Sequence, residues 1–140
     1  MRQIRDTFIH FVADNIAQYI TTSTPTVNGV WRSSAEPNRD TLNTAAINIS
    51  FLDGTYSTAT VTQVCAIDVI HTDELTAVDW TDALWQLLSA TCYTPQLDYS
   101  GVSPVPTGKN VVWPIAGVRF KPIVDKYYFR QNCRLLLTSS

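Results

Sequence analysis

Residues 60–90 constrain the fold more than any other part of the chain. Over residues 60–70, Val61, Cys65, Ile67 and Val69 fall on one side, and Thr60, Thr62 and Asp68 on the other. This alternation of period two marks a strand with a buried face. Gln63 interrupts the apolar side, while Val64, Ala66 and Ile70 stand on the opposite one. The strand is therefore expected to be covered on both faces near its middle. Residues 71–74 break the pattern. Trp80, Leu84, Leu87 and Leu88 then recur at i, i+4, i+7 and i+8, which is a helix with a wide apolar stripe. Asp73, Glu74, Asp79 and Asp82 gather at its start, where carboxylates favour the positive end of the helix dipole. Such a unit needs further strands to complete its sheet.

The rest of the chain supplies them. In residues 1–20, Ile4, Phe8, Phe11, Val12, Ile16, Tyr19 and Ile20 share one side of a helix, and Arg2, Arg5, Asp6 and Asp14 lie elsewhere. This is a core-packing helix, since its polar face lacks the lysines of a membrane-surface helix. Residues 21–44 are polar, contain Pro25, Gly29 and Pro37, and read as an extended arm. Trp31 within the arm is an apolar anchor that either folds back on its own core or docks on a neighbour. Residues 45–51 form a strand with Ala45, Ile47, Ile49 and Phe51 on one side. Asp53-Gly54 then predicts a tight hairpin turn, with residues 55–70 returning antiparallel.

Residues 91–97 read as a short strand. Residues 98–110, with Gly101, Pro104, Pro106 and Gly108, read as a second extended arm, poor in hydrogen bonds. Residues 111–124 give one or two short strands, with Val118 and Phe120 opposite Arg119 and Lys121. Pro114 and Pro122 put the ends of these strands at a sheet edge or bulge. Residues 126–138 close the sheet. Tyr127, Phe129, Cys133, Leu135 and Leu137 point one way, and Tyr128, Arg130, Asn132 and Arg134 the other, a buried face against a basic wet face. The expectation is a single α+β domain over residues 1–140: an antiparallel sheet with two main helices packed on it, and long extended loops.

A length of 140 residues is enough for one core and too short to expect two. Charged residues are only 16% of the chain, a sparse surface charge that suits cover by a partner. The net charge of −2 makes no case for nucleic-acid binding by the whole molecule. Its distribution is uneven. From residue 109 onward six basic residues stand against Asp125 alone, a balance of about +5 that leaves about −7 for the remainder. The basic tail is either a solvated strand face, or a surface that meets an acidic face of an identical subunit or DNA phosphates. Cys65, Cys92 and Cys133 are odd in number and widely spaced, which fits free thiols in a reducing compartment. No N-terminal signal pattern and no apolar run of membrane-spanning length stands out.

Catalytic patterns are missing. His10 and His71 are the only histidines, and neither C-x-x-C nor H-E-x-x-H occurs, so no metal or other cofactor is expected. His71, Asp73 and Glu74 suit a turn and a helix cap better than a ligand set. There is no G-x-S-x-G elbow. Thr107-Gly108-Lys109-Asn110 has the Gly-Lys of a phosphate loop but not the upstream glycine, and Asn110 replaces the Ser/Thr that would hold magnesium. Asp79 and Asp82 lie on an exposed helix start rather than as a catalytic carboxylate pair. The chain is read as not an enzyme.

The order of elements is amphipathic helix, polar arm, hairpin, acidic-start helix, closing antiparallel strand. With Val64-Cys65-Ala66-Ile67-Asp68-Val69-Ile70, Asp79-Trp80-Thr81-Asp82-Ala83-Leu84-Trp85 and the strand at residues 127–137, it resembles the tail terminator (tail completion) proteins of long-tailed bacteriophages. The resemblance implies a non-enzymatic structural protein of the virion tail or neck, present in the host cytoplasm during assembly. It also implies a homo-oligomeric ring, a hexamer, that caps the tail tube protein and joins it to the head–tail connector protein. Subunit contacts would come from the arms and sheet edges: Trp31, Arg32, Tyr99, Val105, Trp113, Arg119, Lys121, Arg130 and Arg134. The basic residues among these would lie at a subunit interface or near passing DNA. Two other expectations stay open: another phage neck, head-completion or connector protein, and a small-ligand-binding or enzymatic α+β domain.

Overall fold

The strand at the centre of the pattern is also the centre of the sheet. The computed structural model describes residues 2–31, 44–57 and 59–140. Within them the chain is a mixed α+β fold with one curled seven-stranded sheet and two helices. Helix α1 (Arg2–Asn15) ends in a 3-10 turn, Ile16–Tyr19, and is followed by β1 (Thr26–Trp31), β2 (Ala46–Tyr56) and β3 (Val61–His71). Helix α2 (Glu74–Ala90) precedes β4 (Tyr93–Asp98), β5 (Val105–Val112), β6 (Lys121–Ile123) and β7 (Phe129–Ser139). The strand order is β1-β2-β3-β7-β5-β4, with β6 paired to the opposite end of β7 from β5.

Three expectations are corrected by this topology. The sheet is not wholly antiparallel, because β1 runs parallel to β2 from Thr26 opposite Ala46 to Trp31 opposite Phe51. Six residues of the first arm are therefore strand, and residues 32–43, with Arg32, lie outside the described residues. The second arm is not free of hydrogen bonds either. Val105 onward is strand, and Asp98 and Leu97 pair with Val105 and Pro106 across a hairpin. The edge position of β4 and a register shift near Pro95 let these prolines sit in strands. Gly108 takes the left-handed conformation, φ 81°, that favours glycine.

The third correction concerns Asp53-Gly54. A β2–β3 hairpin forms, but it closes between Ser57 and Thr60, where the Ser57 N–H and hydroxyl both donate to the Thr60 carbonyl at 2.9 and 3.0 Å. Asp53-Gly54 is instead a β-bulge: between Phe51 opposite Cys65 and Gly54 opposite Gln63, β2 carries one residue more than β3. Gln63 explains why the bulge is stable. Its Nε2 donates to the carbonyls of Leu52 (2.8 Å), Val64 (3.0 Å) and Asp53 (3.2 Å), and Arg5 Nε donates to its Oε1 at 3.2 Å. The polar residue that interrupts the apolar face of β3 is the donor that the bulged carbonyls require.

The core lies between the helices and one face of the sheet. Ile4, Phe8, Val12 and Ile16 share a buried cluster with Ile47, Ile49 and Phe51 of β2 and Cys65, Ile67 and Val69 of β3. Trp80, Leu84 and Leu88 of α2 and Cys133, Leu135 and Leu137 of β7 belong to the same cluster. The other face of β2 and β3 is buried as well: Ala46, Asn48, Ser50, Ala66, Asp68 and Ile70 have no exposed surface. Burial pushes the Cys65 thiol far above its ordinary value, and that of Cys133 upward too, so neither is poised as a thiolate nucleophile.

Hydrogen bonds fix the helices to the strands. Thr7 Oγ1 donates to the Leu97 carbonyl (3.3 Å) and accepts from the Leu97 N–H (3.0 Å), docking α1 on β4. Asp73 caps α2 by accepting from the Thr76 N–H at 3.1 Å, and its own N–H donates to His71 Nδ1 at 2.8 Å. Asp79 has a structural duty. Its carboxylate accepts from the N–H and hydroxyl groups of both Thr21 and Thr22, at 2.7 to 3.4 Å. Beside it Trp80 Nε1 donates to the Ser23 carbonyl at 2.9 Å. Burial works to raise the Asp79 value, but the four donors outweigh it and hold the carboxyl below the usual range.

Two outcomes follow. Gln63→Leu keeps the volume but strands the bulge carbonyls, and is expected to lower the unfolding free energy by about 2–3 kcal/mol in urea titration. Asp79→Ala is expected to cost about 1 kcal/mol near neutral pH, discounted for the exposure of the site. The folded value of Asp79 is depressed, so its contribution is complete above the ordinary value of 3.8 and is lost as the pH falls through the folded value. The gap between wild type and Asp79→Ala should therefore close in acid and not in base, as read from melts across pH.

Candidate interaction surface

Helix α2 has a second apolar stripe. Leu75, Val78 and Trp85, with Asp82, recur at i, i+3, i+10 and i+7, on the side of the helix opposite Trp80, Leu84 and Leu87. Leu75 is 77% exposed, Val78 45% and Trp85 53%. The chain between β5 and β7 makes the facing wall. Trp113 plugs the core, a 3-10 turn follows at Ile115–Gly117, and β6 pairs Lys121 with Asn132. Residues 124–128 then bend back to β7, leaving Val124, Tyr127 and Phe129 largely exposed.

Between the two walls run two adjoining hollows. One of about 520 Å³ lies between Glu74, Ala77 and Val78 and the segment from Pro122 to Gln131. The other, of about 440 Å³, lies between Val78, Asp82 and Trp85 and the segment Val118, Arg119, Phe120. Val78 and Gln131 line both, so they are one groove. From Glu74 to Trp85 it is roughly 16 Å long at the helical rise per residue. Its walls are largely apolar and aromatic, with Glu74 and Asp82 on the helix side and Arg119, Asp125, Lys126 and Arg130 on the other. An exposed apolar strip rimmed by charges has the make-up of a protein-binding surface.

The expected contact residues do not gather here as a set. Trp113 is a core residue, 1% exposed; its Nε1 donates to the Leu88 carbonyl at 3.0 Å, and it packs edge-on against Phe8. It is corrected as an interface candidate. Trp31 closes β1, and its side chain lies outside what is described, as does Arg32. Tyr99 stacks on His10, ring centroids 4.1 Å apart, where burial and the charges of Asp14 and Asp6 raise its hydroxyl value. Val105 is exposed at the start of β5. Arg119 lines the groove and donates from Nε to the Ala116 carbonyl at 3.3 Å.

Lys121, Arg130 and Arg134 fall on the other face of the sheet, as their register with Asn132, Asp68-flanking Ile70 and Ala66 requires. Arg130 is not an outward-facing contact. Its Nη2 lies 2.8 Å from Asp68 Oδ1 and its Nε donates to the same oxygen at 2.9 Å, with Asn132 Nδ2 adding a third bond at 3.0 Å. Asp68 is fully buried, and its Oδ2 has no hydrogen-bond partner among the described residues. The basic wet face is therefore partly a buried ion pair. Arg134, opposite Ala66, is exposed.

Among the described residues no group of three or more His, Cys, Asp or Glu is placed to hold a metal ion, and no helix is long and apolar enough to cross a membrane. No protein-family model matches the sequence, and no curated protein matches it either. The stripe Leu75, Val78, Trp85 is the feature that a count of core positions alone passes over. Its signal is a second periodic row on the helix side that should be polar.

Removing Arg130 leaves the Asp68 charge buried without its partner. Arg130→Met is expected to destabilise by about 3–5 kcal/mol, and the double change with Asp68→Leu by clearly less. Denaturant unfolding of both variants measures the difference.

Proposed function

We propose that this chain is a structural virion protein, a ring-forming tail terminator that caps a phage tail tube and joins it to the head connector. The observation that carries the reading is the exposed apolar groove along α2. A surface with Leu75, Val78, Trp85, Val124 and Tyr127 open to water gains by being covered. The ionisable groups that stand out sequence-wise have structural work: Asp73 caps, Asp79 tethers, and Asp68 pairs with Arg130. In this reading the two helices pack together on the sheet and the extended segments reach neighbouring copies. The arrangement is not enzymatic, and repeated identical contacts close a ring, a hexamer by the family resemblance. Lys121 and Arg134 on the outer sheet face then lie at a neighbour or beside passing DNA.

Imaging of purified particles tests this. The expected result is a ring of this chain at the junction of tail tube and head, and particles assembled without it should separate into heads and tails. A chain absent from particles, or a stable monomer that turns over a small molecule bound in the groove, would sink the reading.

A further inference from the structure

The structure carries a projection as well as a groove. β5 pairs with β7 only at Val111 and Val112, so the β4–β5 ribbon runs out past the C-terminal end of β7. Its tip is uncharged from Tyr99 to Gly108, and residues 101–106 are all exposed. Val102 is completely exposed and Val105 is 58% exposed. Pro104 and Pro106 have no N–H that would need a partner, and their backbone is already restricted, so ordering them costs little.

The groove lies at the other end of the molecule. Its floor is Gln131 and its wall is β6, paired to Arg130, Gln131 and Asn132, whereas the ribbon leaves at Ser139. From Arg130 to Ser139 is roughly 30 Å along an extended strand, before the ribbon's own length is added. The tip cannot enter the groove of its own chain.

We propose that the tip of one copy, residues 102–106, docks in the α2 groove of a second copy, head to tail. This rests on the ring reading above and supplies its contact. The tip is narrow: a bend at residues 101–103 leads into β5 at Val105, and this hairpin end meets a groove roughly 16 Å long from Glu74 to Trp85. The chemistry matches, since a Pro-Val-Pro run suits walls that carry Trp85, Phe120 and Tyr127. The charges at the rim pair off. Asp98 and Lys109 flank the tip on the two arms of the ribbon; the groove has Glu74 and Asp82 on the helix wall, and Arg119, Lys126 and Arg130 against the single carboxylate of Asp125 on the other. Lys109 therefore faces α2 and Asp98 faces the opposite wall. A tip and a groove at opposite ends make a heterologous contact, which closes into a ring when the rotation between copies permits.

Native mass spectrometry of the full-length chain tests the contact with two variants, Val102→Asp with Val105→Asp in the tip, and Val78→Asp with Trp85→Asp in the groove. All four side chains are exposed, so both variants should keep the wild-type circular dichroism and melting temperature. The wild type is expected to form multimers. Each variant alone should self-associate at least tenfold more weakly and run as a monomer. An equimolar mixture should give a heterodimer and nothing larger, because one intact tip then meets one intact groove. A variant that assembles like wild type, or a mixture that stays monomeric, overturns the contact; if wild-type rings persist in that case, the ring reading stands and only this interface falls. A wild type that is monomeric at every concentration also overturns it, and particle imaging then judges the ring reading separately.

Discussion

A strand covered on both faces cannot leave a polar group to water, and β3 carries two such groups. Gln63 faces the helices and Asp68 faces the other way. Each is answered from a different part of the chain: Gln63 by the bulge carbonyls of β2 and by Arg5, Asp68 by Arg130 and Asn132 of β7. These bonds join β3 to both its neighbours and to α1 in one register only. A slip of one residue would turn both polar side chains into apolar surroundings, at a cost of several kcal/mol each. The apolar core supplies most of the driving force, while the two buried polar groups determine which strand alignment it can be spent on.

Much of this was legible in the residues. The alternation in β3, the stripe of α2 and the apolar side of α1 all stand in their expected places, because periodicity reports which face is buried. Gln63 and the apolar pair Ala66 and Ile70 were visible as irregularities, and they mark where both faces are covered. The misreadings share a cause. Asp53-Gly54 has the residues of a hairpin turn, yet β2 goes on pairing with β3 past Gly54 through Thr55 and Tyr56, and the dipeptide becomes a bulge instead. Pro104 and Pro106 argued for an unpaired arm, but an edge ribbon tolerates proline on its outward side. A parallel β1 has no local signature at all, since its partner is chosen across the chain.

The surface was less legible than the core. Trp113 has the composition of an interface anchor and the location of a core plug, a distinction that only packing against Phe8 and Leu88 makes. Arg130 reads as a free cation and is held by a carboxylate on the neighbouring strand. The groove along α2 needs residues from two distant segments, and it comes into being only when β6 folds back onto β7. A site assembled this way leaves half of its evidence on each segment and none in any single motif.

The parallel pairing of β1 with β2 bears on how the chain can change over time. Because Trp31 and Ala46 sit at opposite ends of the paired strands, the end of β1 and the start of β2 are roughly 17 Å apart. Insertions between those ends cost little closure entropy. Deletions meet a hard limit of about five extended residues, below which β1 would be pulled from the sheet. A polar stretch that composition alone would class as dispensable is thus a connection with a fixed minimum and an open maximum.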